Sequence, residues 1–168
     1  KFKDILNTRL EEQWNNVWQK TTILYPYRWN GAIDIRDVFF LDTKEDEQKL
    51  MNVLFMNGTN WKELSNDDKM VDLLKFVVNN IDYEYDNIVW KIPEYWQNAY
   101  LTWDLKKGDC EDFSLLIYKL ARLIEVPVYR LRIACGWVEN KGGELFGHAY
   151  VLYLKEKDNQ WYSLDGTW

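Results

Sequence analysis

The chain has 168 residues, of which 47% are hydrophobic and 29% charged, with a net charge of −6 at pH 7. This balance is typical of a globular protein with a real core and argues against an intrinsically disordered chain. The negative charge, with no cluster of Lys or Arg, makes nucleic acid and anionic membranes poor partners, and no apolar run reaches the roughly 18–20 residues of a transmembrane helix.

The first eighty residues carry the patterns of helices. Apolar residues recur every four positions from Leu6 to Trp18, which predicts an amphipathic helix over roughly residues 2–20. Residues 31–42 alternate partly as a strand would. Two more helices are predicted from N-cap residues and the apolar stripes that follow them: Thr43 before residues 44–57, and Ser65 before residues 66–80.

The second half changes from helical to strand periodicity. Residues 82–105 are rich in aromatic side chains and predict irregular structure. An apolar helical pattern then runs from Cys110 to about Ile124, and Pro127 ends it. Beyond it, turn-forming residues separate three alternating segments, which predicts an antiparallel meander: VPVYRLRIACGWV, LFGHAYVLYLKEK and WYSLDG.

Helices that precede a meander predict an α+β fold, in which the helix that begins at Cys110 packs on one face of an antiparallel sheet. No internal repeat, low-complexity tract or Pro/Gly/Ser-rich linker interrupts the sequence. We therefore expect residues 1–168 to form a single domain. Within it, residues 1–81 should be mainly helical, and residues 82–168 should form the core that carries the chemistry.

Three residue types suited to nucleophilic catalysis follow one another in this second half. Cys110 stands at a predicted helix start, His148 is the single histidine of the chain, and Asp165 ends the third strand. Consecutive antiparallel strands would place His148 beside Asp165, with the cysteine facing the imidazole from the helix end. In such a row the thiolate attacks a carbonyl, the imidazole moves protons, and the carboxylate fixes the tautomer of the imidazole.

Each of these residues also has an ordinary structural interpretation. A helical cysteine often packs as a small core residue, a lone histidine is often a satisfied surface or core group, and an aspartate before Gly166 is often a turn residue. Their combination in chain order favours catalysis over each separate interpretation. The second cysteine, Cys135, stands mid-strand with no helix terminus nearby and is predicted to be structural.

The motifs around these residues resemble a known family. GDCEDF with the helix behind it, followed by GHAYVLYL and WYSLDGTW, resembles the transglutaminase-like cysteine-protease superfamily. The upstream segment EYWQNAYLTWDLKKGDC looks like the approach to the nucleophile in the bacterial transglutaminase-like cysteine proteases, the most similar branch. The resemblance covers residues 94–168. It implies a papain-like, transglutaminase-like α+β core and a Cys–His–Asp triad at Cys110, His148 and Asp165.

The resemblance implies acyl-group chemistry through a thioester on the cysteine. The leading hypothesis is a cysteine hydrolase that cleaves a peptide, isopeptide or amide bond in a protein or peptide substrate. A transglutaminase-type acyltransferase, which cross-links or deamidates proteins, uses the same thioester and is the alternative. A catalytically inactive interaction module is the third hypothesis, because fold and triad do not by themselves fix a function.

The acids beside the nucleophile take part in calcium binding in some bacterial members of this family. The resemblance therefore makes Asp109 and Glu111 candidate calcium ligands, although the thioester chemistry itself requires no cofactor. Asp112 matches the motif as well. The alternative is that acids in a first helical turn stabilise the helix dipole without any metal.

For a transition-state oxyanion, the backbone N–H of Cys110 is a natural donor. A second donor would come from the aromatic approach, where Gln97 offers an amide and Trp96 or Trp90 offers an indole N–H. All three side chains are also candidates for simple packing.

The compartment and the oligomeric state stay open at this point. Two cysteines do not form a disulfide framework that would indicate an oxidising environment. We expect a soluble protein with no membrane insertion. The resemblance implies a bacterial or bacteriophage origin, with a periplasmic, secreted or phage-associated location.

Overall fold

The computed structural model describes residues 22–25, 31–34 and 41–167. In chain order the described helices are α1 (Lys44–Met56), α2 (Asn66–Asn80), α3 (Asp86–Val89), α4 (Ala99–Leu105) and α5 (Cys110–Leu123). None of these helices is long and apolar enough to cross a membrane. The described strands are β1 (Thr22–Tyr25), β2 (Gly31–Asp34), β3 (Asp82–Tyr83), β4 (Lys107–Gly108), β5 (Leu131–Glu139), β6 (Leu145–Leu154) and β7 (Trp161–Leu164). The α+β prediction is confirmed.

Helices α1 and α2 begin at the N-cap residues that the sequence indicates. The Thr43 hydroxyl accepts a hydrogen bond from the Asp46 backbone N–H at 3.2 Å, and the Asp46 carboxylate accepts one from the Thr43 N–H at 2.9 Å. At α2, the Ser65 hydroxyl accepts from the Asp68 N–H at 3.1 Å. Both caps satisfy N–H groups that the first helical turn leaves without partners. The helix predicted over residues 2–20 lies outside the described residues.

Helix α5 lies at the centre of the core. Its apolar residues pack against α2 and α4 on one side and against β6 of the sheet on the other. Leu116, Ile117 and Leu120 are at most 1% exposed. This burial of apolar area is the main source of stability that positions the first turn of α5.

Strands β5, β6 and β7 form the predicted antiparallel meander, in the order β5–β6–β7. The β5–β6 turn is built around Asn140, whose side-chain oxygen accepts from the N–H groups of Gly142 at 2.8 Å and Glu144 at 3.0 Å. Gly143 supplies the positive φ (+81°) that this turn requires. The meander therefore follows from the alternation of side chains along the strands and from the hydrogen bonds and positive φ of the β5–β6 turn.

Two segments differ from the predictions. Residues 82–105, predicted to be irregular, contain β3, α3 and α4, and the strand predicted to begin at Val126 opens instead with a 3₁₀ turn over Val128–Arg130. Helix α4 has only seven residues, so it shows no clear apolar period. It is stabilised by its Asn98 cap, which accepts from the Leu101 N–H at 3.0 Å, and by stacking of Trp103 on Phe76 at 5.3 Å. The following strand β4 then pairs in parallel with β3, which brings Tyr83 next to Gly108.

Candidate active site

The motif GDCEDF forms the turn into α5, and Gly108 makes that turn sterically feasible. A Cβ at Gly108 would lie 2.6 Å from the Cβ of Asp112, closer than real side chains approach. Asp109 is the N-cap residue, and Cys110 is the first residue of the helix. The Cys110 thiol therefore stands at the positive end of the helix dipole, where the backbone N–H groups of the first turn have no intrahelical acceptors.

Asp112 is 0% exposed. Its carboxylate connects the start of α5 to the preceding residues 94–107, which we call the approach segment. One oxygen accepts from the backbone N–H of Gln97 at 2.8 Å. The other accepts from the Gln97 side-chain amide and, at 3.4 Å, from the Asp109 backbone N–H. A buried carboxylate requires such donors, so Asp112 fixes the approach segment against the first turn of α5.

His148 and Asp165 are brought together by neighbouring strands. Nε2 of His148, in β6, lies 2.7 Å from Oδ2 of Asp165, just beyond the end of β7. The other carboxylate oxygen of Asp165 accepts from the N–H and the hydroxyl of Thr167, at 3.0 and 2.7 Å. These contacts hold the carboxylate in the orientation that meets the imidazole.

Helix α5 also packs against the turn that carries Asp165. A Cβ at Gly166 would lie 2.9 Å from the ring of Phe113, so only glycine lets the turn approach this closely. Phe113 belongs to the first turns of α5, three residues after Cys110. The motifs GDCEDF and LDGT therefore pack directly against each other.

Cys110 and His148 line one cleft of about 950 Å³. Its lining comes from residues between 83 and 96, from residues 109–111 at the start of α5, and from residues 135–137 and 146–149 of β5 and β6. The thiol donates to the Glu111 carboxylate at 3.2 Å. The catalytic roles of Cys110, His148 and Asp165 stay predictions.

The electrostatics of the cleft oppose ionisation of the thiol. Burial, followed by the negative charge of Asp109, raises the pKa of Cys110, although the backbone N–H of Ala149 and the hydrogen bond to Glu111 act in the other direction. Burial also raises the pKa of Asp109. The pKa of Glu111, which is 4% exposed, is raised well above its usual range by burial and then by Asp109.

These acids have partners from outside the motif. Asp86 in α3 and Glu94 in the approach segment each have a carboxylate oxygen within 4.8 Å of one from Glu111. Carboxylate oxygens of Asp86, Asp109 and Asp112 also lie within 4.8 Å of one another. Burial, and then the charge of Asp109, raises the pKa of Asp86 to about 7. Sequence reasoning identified neither Asp86 nor Glu94, because only the fold brings α3 against the start of α5.

The acidic cluster fits a hard cation. Within the described part of the chain, Oδ1 of Asp109 and Oε1 of Glu111 are buried without a hydrogen-bond partner. Buried carboxylate oxygens without donors are costly, and oxygen ligands of this kind are those that Ca²⁺ prefers. The donor set therefore suits a calcium ion, and two of its members, Asp109 and Glu111, are the predicted ligands.

The oxyanion candidates have different surroundings. Trp96 is 4% exposed, lines the cleft, and donates its indole N–H to Glu94 at 2.8 Å. Gln97 is not among the lining residues, and its amide donates to Asp112 and, at 3.2 Å, to the Lys107 carbonyl. The Trp90 ring lies 4.5 Å from the Tyr95 ring at a tilted angle of 39°, and Trp90 is not among the lining residues. The assignment of Gln97 and Trp96 to an oxyanion hole stays a prediction, and the hydrogen bonds of Gln97 position Asp112.

Cys135 lies in β5 as predicted, but it is near the helix start after all. Its partner across the sheet is Ala149, next to His148, and Cys135 lines the same cleft as Cys110. Desolvation, and then the charges of Cys110 and Glu94, raises its pKa to about 11. The Cys135 thiol therefore stays protonated at neutral pH.

We expect the stability of the protein in chelator to fall as the pH rises from about 5.5 to about 7.5. The raised pKa of Asp86 means that its contribution to stability is complete below the unfolded pKa of about 4 and is lost as the pH rises through about 7. The neighbouring acids with raised pKa values act in the same direction. Urea unfolding as a function of pH measures the slope.

The variant Asp86→Asn should make the fall of stability with pH shallower by the contribution of roughly one titrating proton, because an uncharged amide cannot titrate. Its side-chain oxygen can still accept the Tyr95 N–H that Asp86 accepts. Glu139→Gln, an exposed acid on β5, is the control and should leave the slope unchanged. A stability that increases with pH over this range would contradict the electrostatic description of the cluster.

Comparison with known proteins agrees with this architecture. A family model described as the Transglutaminase-like superfamily matches residues 55–166, a segment that contains Cys110, His148 and Asp165. Among curated protein sequences no match was found.

Solved structures provide a second comparison. The chain is similar to LapG of Legionella pneumophila, with a TM-score of 0.53 and 18% sequence identity over 95% of this chain and 72% of LapG. A calcium-bound form of LapG gives the same values, and an EGTA-treated form gives the same score and identity over 95% of this chain and 70% of that one. At this identity the likeness concerns the fold alone. Since the family model covers most of the chain, the protein belongs to the transglutaminase-like superfamily.

Proposed function

We propose that the protein is a cysteine hydrolase that cleaves a peptide, isopeptide or amide bond in a protein substrate, with Cys110 as nucleophile, His148 as general base and acid, and Asp165 as the group that orients His148. The observation that carries this proposal is the 2.7 Å contact between His148 Nε2 and Asp165 Oδ2 on the cleft that also exposes Cys110 at a helix start.

The carboxylate of Asp165 determines which imidazole nitrogen is basic. A carboxylate accepts hydrogen bonds, so Asp165 favours the tautomer that carries its proton on Nε2. The basic lone pair then lies on Nδ1 of His148. Nδ1 is the atom that would take the proton from the Cys110 thiol, and the charge of Asp165 stabilises the resulting imidazolium.

In the acylation step, the Cys110 sulfur attacks the substrate carbonyl carbon and forms a tetrahedral oxyanion. The Cys110 backbone N–H, at the start of α5, is a donor for that oxyanion. His148 then gives its proton to the leaving amine, the carbon–nitrogen bond breaks, and a thioester remains on Cys110. In the second half, water loses a proton to His148 and attacks the thioester, which releases the acid and restores the thiol.

The acids around Cys110 would hold a calcium ion through Asp109 and Glu111, with Asp86 and Glu94 as further ligands. A bound cation would supply positive charge that offsets the repulsion between these acids and a thiolate. Support comes from the buried, unpartnered oxygens of Asp109 and Glu111 and from a calcium-bound structure of LapG, which shares this fold. Asp112, fully buried with Gln97, keeps Asp109 and the first turn of α5 in place.

Hydrolysis and acyl transfer are separated by what attacks the thioester. Incubation of the protein with casein and a fluorescent primary amine should produce new N-termini and little incorporated label. The Cys110→Ala variant, which lacks the nucleophile, should produce neither. If more label is incorporated than new N-termini appear, the acyltransferase hypothesis is favoured over the hydrolase.

Reactivity of the thiol tests the active site without knowledge of the substrate. In a Cys135→Ser background, Cys110 is the only cysteine of the chain. With calcium present to offset the charge of Asp109, we expect iodoacetamide to alkylate it at pH 6 roughly 100 times faster than a free thiol peptide, because the helix start and His148 then favour the thiolate. His148→Ala should remove most of this rate advantage, whereas Ser163→Ala, at an exposed position of β7, should not. A rate equal to that of the free peptide from about pH 5 to about pH 9 would favour the inactive interaction module.

Calcium binding is tested by titration calorimetry on protein treated with chelator. We expect binding to the native chain and a loss of affinity of roughly tenfold or more in Glu111→Gln, because a ligand charge is removed. Glu139→Gln, an exposed acid outside the cluster, is the matched control. Absence of binding heat, together with an alkylation rate that does not respond to chelator, would leave the acids as helix-start residues only.

A further inference from the structure

The transition state of the proposed reaction needs more than one hydrogen-bond donor. A tetrahedral oxyanion is commonly stabilised by a pair of preorganised donors, and the Cys110 backbone N–H is one of them. Trp96 donates its indole N–H to the Glu94 carboxylate. Gln97 donates its side-chain amide to Asp112. A second donor that is not already engaged therefore has to come from another residue beside Cys110.

Tyr83 is held beside the start of α5 by its backbone. Its register partner in the parallel β3–β4 pair is Gly108, two residues before Cys110. The backbone N–H of Glu84, the next residue, donates to the Gly108 carbonyl at 2.9 Å. The position of Tyr83 is therefore fixed relative to the turn that carries the nucleophile.

The side chain of Tyr83 points toward the first turns of α5. Directly paired strand residues carry their side chains on the same face, and a Cβ on Gly108 would point at Asp112. In agreement with this direction, the Tyr83 ring lies 6.2 Å from the ring of Phe113, three residues after Cys110. Tyr83 and Cys110 also line the same cleft. The phenol therefore borders the cleft beside the nucleophile.

The hydroxyl of Tyr83 is available as a donor. Within the part of the chain that the structure describes, it makes no hydrogen bond. The hydroxyls of Tyr153 and Tyr162, by contrast, each donate to an aspartate, at 2.7 and 2.8 Å. Partial burial, and then the charge of Cys110, raises the pKa of Tyr83, so its phenol keeps the proton at neutral pH. A neutral phenol donates a hydrogen bond without adding negative charge to a cleft that is already rich in acids.

Tyr83 and His148 belong to different sheets. His148 lies in β6 of the meander, whereas Tyr83 lies in β3, which pairs with β4. Catalysis requires such a separation, because the imidazole meets the leaving amine while the oxyanion donors meet the carbonyl oxygen. The backbone N–H groups of a helix start point out of its N-terminal end, and Tyr83 is paired with the residue that leads into that end. The phenol and the Cys110 N–H are therefore suited to act on the same oxygen.

We propose that the Tyr83 hydroxyl is the second oxyanion donor and acts together with the backbone N–H of Cys110. As the sulfur bonds to the carbonyl carbon, the negative charge that develops on the carbonyl oxygen accepts hydrogen bonds from both groups, and Tyr83 keeps its proton. When the carbon–nitrogen bond breaks, the carbonyl is restored as a thioester. The same donors act again when water attacks the thioester. This inference rests on the proposed function, because it assigns a group to its transition state.

Two reagents that differ in their need for an oxyanion test this role, in the Cys135→Ser background with calcium present. p-Nitrophenyl acetate acylates Cys110 through a tetrahedral oxyanion and releases p-nitrophenolate, whereas iodoacetamide alkylates it by direct displacement of iodide. The burst of p-nitrophenolate measures acylation and intact mass measures alkylation, and each second-order rate is divided by that of a free thiol peptide. Tyr83→Phe is the test variant, because it removes only the hydroxyl. Tyr85→Phe is the matched control, since Tyr85 carries the other phenol among the described lining residues.

We expect Tyr83→Phe to slow acylation by p-nitrophenyl acetate by roughly 100-fold, the lower end of what a lost oxyanion donor costs. The iodoacetamide rate should change less than about twofold, because displacement of iodide forms no oxyanion. Tyr85→Phe should leave both rates within about twofold of the parent. Tyr83→Phe should also leave the stability in urea nearly unchanged, since the lost hydroxyl has no partner in the described chain.

The other outcomes overturn the inference in distinguishable ways. If iodoacetamide reacts rapidly at Cys110 but Tyr83→Phe leaves acylation unchanged, Tyr83 is not an oxyanion donor and the proposed hydrolase is unaffected. A loss of acylation in Trp96→Phe but not in Tyr83→Phe would assign the role to the indole. If Tyr83→Phe slows both reagents equally, the phenol acts on the thiol and the inference is wrong. If Cys110 reacts no faster than a free thiol peptide with either reagent, the proposed function and the inference both fail.

Discussion

The candidate site depends on one buried carboxylate. Asp112 accepts hydrogen bonds from the backbone and side chain of Gln97 and from the backbone of Asp109, in a place with no access to water. Because leaving these groups without partners would be costly, the approach segment and the first turn of α5 are held as one unit. Gly108 permits the close approach that this arrangement requires. The position of Cys110 at the start of α5 depends on these hydrogen bonds.

The same unit carries an electrostatic conflict. A helix N-terminus favours a thiolate, yet burial and the charge of Asp109 raise the pKa of Cys110. Glu111 and Asp86 add to a cluster in which several carboxyl pKa values are raised, so the metal-free fold is less stable at neutral pH than an arrangement without these acids would be. Such local cost concentrated around one reactive group is typical of functional sites. A cation bound by the cluster would reduce the repulsion that disfavours the thiolate.

Much of this fold is encoded locally and was predicted from the sequence. The caps at Thr43 and Ser65 are contacts between residues three apart, and the apolar period of α5 and the alternation of β5 to β7 are equally local signals. The interval between Cys110, His148 and Asp165 in the chain suggested which groups could meet, because consecutive antiparallel strands are neighbours. Helix α4 was missed, since seven residues carry no clear period and its Trp103 is held by a stacking partner from another helix.

The sequence by itself determined the residue types available for the chemistry, the motif around Cys110, the class of fold and the acids adjacent to the nucleophile. Only the tertiary structure decided that Asp86 and Glu94 join those acids, that Gln97 holds Asp112, and that the second cysteine shares the cleft with the first. The physical reason is that these relations arise from packing between segments distant in the chain. Capping and periodicity act over a few residues, whereas charge clusters and clefts form only when whole elements pack together.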